Sequence, residues 1–402
     1  MFRTFSLQAM TAGVLASVVG FGSAFAVVIA GLQGVGASQA ESASGLMALS
    51  IFMGLSAIWL SLKTKLPITV AWSTPGAALL ATTGALEGGF AAAVGAFIVS
   101  SVLLIAAGLW KPLGRWVAAI PAPLANAMLA GVLLSLCLAP VKAVAELPLL
   151  ALPIIAAWAL MSRINRLYAV PVAVVVTVMA VALTTQVTAS QLGSLWPDPV
   201  LVMPSFPPAA MIGIALPLFI VTMASQNIPG MAVLNANGYR PNPSPLFATT
   251  GLFSLFSAPF GGHAVNLAAI TAALCAGEDA HPDPERRYWA AVVSGVVYIL
   301  FGLMAGAATA FISASPPILI QAVAGLALLG AMGSSLMAAM SDARDREAAI
   351  VTFLVTASGL TFIGISGAFW GLIAGGAVMA LAHWRRGTTR PDRQHMERGR
   401  IR

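Results

Sequence analysis

The placement of charge constrains this chain more than any other feature. Apolar runs of bilayer-spanning length follow one another from residue 8 to residue 384, and all 13 acidic residues, Glu41 to Glu397, lie between those runs or at their ends. A helix of about 20 apolar residues crosses the hydrocarbon core of a bilayer. Soluble domains carry about 25% charged residues, whereas this chain carries 8%, with 59% hydrophobic. It cannot cover its surface against water, so the lipid bilayer must be its main solvent. The class that follows is an all-α polytopic membrane protein.

Fourteen runs can be counted. The first, 8–31, contains Ala24-Phe25-Ala26, the form of a signal-peptidase site, but it continues through that site and is too long for a signal h-region. Lysine and arginine test the count, because they collect in cytoplasmic loops. With the N-terminus inside, all of the 20 basic residues except Lys142 fall on the inner side. A miscounted span would invert every later loop. The expected topology is therefore fourteen spans with both termini cytoplasmic. The tail, 385–402, carries Arg385, Arg386, Arg390, Arg393, Arg398, Arg400 and Arg402 and, less Asp392 and Glu397, holds +5 of the +7 net charge. It reads as a disordered positive-inside anchor on anionic headgroups rather than an RNA-binding segment, so no nucleic-acid partner is expected.

Fourteen divides into two sevens, and an odd number per half makes the halves inverted. The expected units are 1–206 (spans 1–7), 207–384 (spans 8–14) and the basic tail. Residues 31–38 (GLQGVGAS) and 233–240 (VLNANGYR) echo each other, and each precedes an apolar span and then a broken one. Their common order supports an inverted repeat.

The broken elements are spans three and ten. Residues 66–82 (LPITVAWSTPGAALLAT) open with β-branched residues and Trp72, then pass through Ser73-Thr74-Pro75-Gly76. Extended backbone cannot lie bare against lipid. The run 67–73 must pair inside the protein, and 258–262 is the expected partner. Thr74 is expected to cap a helix with Pro75 at its first position. In 258–273 (APFGGHAVNLAAITAA), Gly261-Gly262 allows close backbone approach before a helix expected from about His263. Two half-helix N-termini facing mid-membrane would suit an anion. The competing reading is a pair of kinked helices that only pack.

His263 is the central histidine; His281, His383 and His395 lie in loops or the tail. Burial opposes its positive charge and a bound carboxylate favours it, which would tie proton uptake to anion binding. A lone histidine among apolar residues is also commonly a hydrogen-bonded packing group. Asn266, three residues on, is placed on the same helical face. In span eight, Gln226-Asn227 precedes Pro229-Gly230; amides can donate to a carboxylate without a buried fixed charge, or simply bond between helices. Phe21 and Ser23 occupy the counterpart position in span one, and Phe21, Trp72 and Phe260 offer an aromatic wall. The candidate substrate-binding set is Phe21, Ser23, Trp72, Ser73, Thr74, Pro75, Gly76, Gln226, Asn227, Gly262, His263 and Asn266, with His263 also the proton-coupling group. The absence of deep carboxylates disfavours sodium and cationic substrates. Cys137 and Cys275 form neither a disulfide framework nor a metal cluster. No metal or cofactor is expected, and no acid–base cluster points to an enzyme.

The segments AWSTPGAALLAT (71–82), LPLFIVTMASQNIPG (216–230) and PFGGHAVNLAAITAA (259–273) resemble the BenE-type benzoate/proton symporters. That family is similar to the uracil/xanthine and sulfate permeases. The resemblance covers nearly the whole chain except the tail. It implies a core domain of spans 1–4 and 8–11, a gate domain of spans 5–7 and 12–14, a site between spans three and ten lined also by spans one and eight, and a homodimer through the gate. The chain lacks the acidic residues of the nucleobase branch in spans eight and ten, which fits a carboxylate substrate. The expected function is proton-coupled uptake of benzoate, or a similar aromatic carboxylate, through a bacterial inner membrane. Another anion or nucleobase permease or channel on this fold is the alternative, and a membrane-embedded enzyme the more distant one.

Overall fold

Uninterrupted apolar runs fold here as uninterrupted helices, and prolines and paired glycines set the exceptions. The computed structural model describes residues 6–84, 86–110, 121–184, 197–268, 270–362 and 365–388. The first long helices are α1 (Leu7–Gly34) and α2 (Gln39–Thr64). Ser38 starts α2 with a reciprocal cap: its hydroxyl accepts the Glu41 N–H at 3.3 Å, and Glu41 accepts the Ser38 N–H at 2.8 Å. Glu41 is therefore spent on a helix start. The first broken element follows as β1 (Val70–Trp72) and α3 (Thr74–Thr83), then α4 (Gly89–Leu109). After 111–120 come α5 (Ala122–Cys137), α6 (Ala139–Glu146), α7 (Pro148–Ile164) and α8 (Ala169–Thr184).

The second half opens with α9, a helix over Pro208–Ala236. It contains two π turns, Met211–Ala215 and Met223–Asn227. Each ends two residues before a proline, Pro217 or Pro229. Proline has no N–H to donate and crowds the carbonyl four residues back, and a wider turn relieves both problems. Next are α10 (Pro243–Ser257), β2 (Val265–Leu267), α11 (Ile270–Ala276), α12 (Tyr288–Leu303), α13 (Ala305–Ala314), α14 (Pro317–Ala339), α15 (Arg346–Ala357), the hairpin β3 (Thr361–Phe362) and β4 (Ile365–Ser366), and α16 (Gly367–Thr388).

Among the described residues six helices are long and apolar enough to cross a membrane, or seven if a bent pair counts as one. Several expected spans are modified. The eleventh, expected as one run over 288–312, bends by 56° between α12 and α13. The thirteenth, expected to reach 364, stops at Ala357 and gives way to the hairpin. The last helix continues to Thr388, four residues past its expected end at 384. The tail from 389 lies outside the described residues.

In packing, α2 lies on α12, α4 on α10, and α1 on both α3 and α12. Separately, α5 packs on α14 and α15, α15 on α16, and α7 on α8. Thinner contacts join α1 to α14 and α3 to α5. The connection 197–207 is a strap rather than a free loop: Val200 N–H donates to Ser44 Oγ, Val202 N–H to Pro259 O and Ser205 N–H to Ala91 O.

The α2–α12 crossing is set by two glycines. A Cβ on Gly295 would lie 2.6 Å from Gly54 O, and one on Gly54 would run into Gly295 O. Lipid offers no hydrophobic gain for holding helices together, so close backbone packing must do it. Gly295→Val is expected to destabilise the protein by about 1–3 kcal/mol, read as a lower melting temperature in detergent. An unchanged melting temperature would mean that this crossing is not a tight one.

Candidate functional site

The two broken elements meet as an antiparallel pair with Val70 opposite Leu267, Ala71 opposite Asn266 and Trp72 opposite Val265. Ser73 N–H to Ala264 O (3.0 Å) and Ala268 N–H to Thr69 O (3.1 Å) extend the ladder at both ends. The pairing of β1 with the tenth-span region is as expected, but the partner is 265–267 rather than 258–262. Residues Ala258–Phe260 form a 3-10 turn. Gly261 follows at φ 89°, its N–H donating to Ala258 O and that of Gly262 to Ser257 O. This is a Schellman-type helix end, in which glycine takes the left-handed position at least cost. The glycine pair thus stops α10 instead of starting a helix. His263 lies outside any helix, two residues ahead of β2, Asn266 lies in the strand, and the following helix begins at Ile270. The expected shared helical face for His263 and Asn266 does not exist.

At the first element the helix starts at Thr74, so Ser73 is the cap and Pro75 the second helical residue. Ser73 Oγ accepts the Gly76 N–H at 3.1 Å and a bond from Thr222 Oγ1 at 3.0 Å. Ser73 O accepts the Ala77 N–H at 2.8 Å. Pro75 has no N–H to offer. Thr74 remains half-buried, with an N–H and a hydroxyl that make no hydrogen bond among the described residues. It is the donor this half-helix presents.

The remaining candidates fall into two groups. Ser73, Asn227, His263 and Asn266 are each 0% exposed. They hold the frame. His263 Nε2 lies 2.9 Å from Ser73 O. Asn227 Oδ1 accepts the Leu267 N–H at 2.9 Å. The Asn266 amide, oriented by its neighbours, accepts from Ser73 N–H at 2.9 Å and donates to Leu267 O at 3.0 Å. Phe21, Ser23, Thr74 and Gln226 are half-buried and retain accessible surface. Ser23 Oγ turns back to Gly20 O at 3.3 Å. Pro75, Gly76 and Gly262 are buried backbone of the caps.

The aromatic wall exists with a changed membership. Phe21 packs against Trp72 at 5.4 Å and Phe301 at 4.8 Å, and Trp72 against Tyr298 at 6.4 Å. Phe260 instead belongs to the 3-10 turn, its carbonyl accepting from Ser44 Oγ. Tyr298 and Phe301, three apart on α12, and Thr222 and Ser254, which fasten the broken elements, are neighbours of the candidate site that sequence reasoning missed. The 298/301 spacing was the signal for the first pair. Single hydroxyls inside helices gave no signal for the others.

A paired, unwound centre held between helices is the build of a membrane transporter, and the fold is that of one. The overall structure of SLC26A9 aligns with TM-score 0.63 at 13% identity, over 95% of this chain and 66% of that one. The transmembrane domain of the cyanobacterial bicarbonate transporter BicA aligns with TM-score 0.56 at 17% identity, over 95% and 98%. The protein is a polytopic membrane transporter and not an enzyme. In sequence it is 42% identical to the inner membrane protein YdcO of Escherichia coli, over 93% of this chain and 96% of the relative. It is 33% identical to the benzoate membrane transport protein of Acinetobacter baylyi, over 93% and 94%. The chain belongs to the BenE family, described as benzoate membrane transport protein, whose model it matches over residues 3–381.

Proposed function

We propose that this protein imports benzoate, or a similar aromatic carboxylate, through a bacterial inner membrane by proton symport. The observation that carries the proposal is the pairing of two broken spans around half-buried Phe21, Thr74 and Gln226. The aromatic ring lies along Phe21 and Trp72. The carboxylate takes its donors from Thr74 and Gln226, while Ser73, Asn227, His263 and Asn266 hold the backbone that aims them. Family membership and the name of the Acinetobacter relative support the substrate class.

Fourteen spans in two inverted sevens, with both termini cytoplasmic, remain the proposed topology, supported by the distribution of lysine and arginine. The division into core and gate is supported by the packing, which is denser within α1–α4 with α9–α12 and within α5–α8 with α14–α16 than between them. Access alternates as the core moves against the gate. The family resemblance adds a homodimer through the gate.

Proton coupling follows from charge. Carrying one negative charge into a negative interior costs about 2.3 kcal/mol per 100 mV. One cotransported proton cancels that cost, and a second lets the potential assist. His263 is the proposed carrier. In proteoliposomes, labelled benzoate is expected to accumulate under an inward proton gradient and not under an equal sodium gradient. No accumulation, or accumulation driven equally by sodium, overturns the proposal.

A further inference from the structure

One face of α9 meets the first broken element. A Cβ on Gly76 would lie 2.5 Å from Leu218 Cδ1, and one turn on from Leu218 the Thr222 hydroxyl donates to Ser73 Oγ at 3.0 Å. In an ordinary helix the next residue on that face would be 226, because positions i and i+4 lie one above the other. The turn that follows is instead the second π turn, Met223–Asn227, whose bonds run between i and i+5 and which takes up one extra residue. Asn227 therefore occupies the facing position. It is 0% exposed, and its Oδ1 accepts the Leu267 N–H of β2. Gln226 is displaced to the side: it is half-buried, and its amide makes no hydrogen bond among the described residues. The π turn is thus tied to the first broken element just before it starts and to the second where it ends. The free amide lies inside the tied stretch.

We propose that Thr222 is a positioning residue for the substrate: its bond to Ser73 sets the separation between Thr74 on α3 and Gln226 on α9, so that both can donate to one carboxylate. This rests on the benzoate-transport reading, in which those two residues supply the donors. Ser73 immediately precedes Thr74, and Thr222 lies four residues before Gln226, so a single bond joins the two elements close to both donors. Donors on separate elements grip one ligand only while their geometry is held to about 0.5 Å. Thr222 acts through Ser73 and Gln226 and touches no substrate itself. Ser73 Oγ also accepts the Gly76 N–H. The cap of α3 therefore survives the loss of Thr222, and what is lost is the tie to α9.

Thr222→Val keeps the shape of the side chain and removes its hydroxyl. It is expected to raise KM for benzoate about ten-fold, with Vmax lowered far less. Thr222→Ser restores the hydroxyl and should return KM to near the wild-type value. The effect should also overlap with that of Gln226→Leu. The double variant should show a KM little above that of Gln226→Leu alone, because removing a donor that is already misplaced costs little more. A merely packing Thr222 predicts unchanged KM in Thr222→Val, a loss that Thr222→Ser does not recover, or an effect that multiplies fully with that of Gln226→Leu, and any of these overturns the proposal. Should Thr222→Val fold poorly, Thr222→Ser and Thr222→Ala, which differ by the hydroxyl alone, carry the same comparison. If the wild type itself neither takes up benzoate nor is stabilised by it against heat, the functional reading has failed. If the wild type does both and the Thr222 variants match it, only the Thr222 assignment falls.

Discussion

His263→Gln should abolish proton-driven accumulation of benzoate while leaving benzoate exchange across equal pH largely in place. Among the described residues the ring makes one hydrogen bond, from Nε2 to Ser73 O. A carbonyl can only accept, so Nε2 carries the hydrogen and Nδ1 is a bare acceptor. Nδ1 is buried without a partner. Ser73 O also accepts the Ala77 N–H, the first main-chain bond of the α3 ladder. A glutamine amide can donate to the same carbonyl and keep that frame, but it cannot take up a proton. Protonating His263 turns Nδ1 into a donor that has no acceptor in this state. The charged form is therefore favoured only where a substrate carboxylate or a rearranged backbone supplies one, which is the differential affinity that coupling requires. A gradient of one pH unit is worth about 1.4 kcal/mol per proton, a tenfold accumulation for one-to-one symport. In the variant that ratio should fall to about one. Full accumulation by His263→Gln would leave the residue as a fastener and place the coupling elsewhere.

The parts of this fold that follow from bulk patterning were legible, and those that depend on three or four residues were not. The apolar runs gave the helices, and Thr74-Pro75 gave the start of α3 to within one residue. The cap itself was assigned one residue late, because Ser73 and Thr74 are both good caps and the choice is made by Thr222 reaching Ser73 Oγ from α9. The second broken element was misplaced by five to seven residues. A three-residue strand has no periodicity to read, and Gly261-Gly262 can open one element or close another. What decides it is the left-handed φ of Gly261 and the bond from Gly262 N–H to Ser257 O. That correction moves Asn266 from a helix face into a strand and His263 into the non-helical segment just before it. It also explains why they are buried as parts of the frame rather than lining an open surface. The wider turns of α9 could have been anticipated from Pro217 and Pro229, whose positions fix where the ordinary helix ladder cannot continue.

Asn227→Leu and Ser254→Ala should each cost about 1–3 kcal/mol of stability and reduce transport severely, and together they should abolish it. The reason lies in the outer edge of β2. In a two-stranded antiparallel pair, alternate residues turn their N–H and C=O away from the partner. Here Asn266 faces β1, while Val265 and Leu267 turn outward. An edge of that kind in the interior of a membrane protein has no water to meet it. Two side chains take its place: Ser254 Oγ accepts the Val265 N–H at 2.8 Å and donates toward Val265 O at 3.0 Å, and Asn227 Oδ1 accepts the Leu267 N–H at 2.9 Å. Asn227 reaches the strand from the second π turn of α9, and Gly230 one turn later lets α9 come close, since a Cβ there would lie 2.8 Å from Leu267 Cβ. The widened turn, the amide and the glycine therefore act as one fastening. Losing either side-chain acceptor strands a backbone donor next to the residues that hold Ser73, so the loss should reach substrate binding as well as melting. Asn227→Asp and Ser254→Thr keep an acceptor at each place and should retain more of both. If Asn227→Leu and Ser254→Ala melt like the wild type and transport at its rate, the strand edge is satisfied by other groups and these side chains do not hold the site.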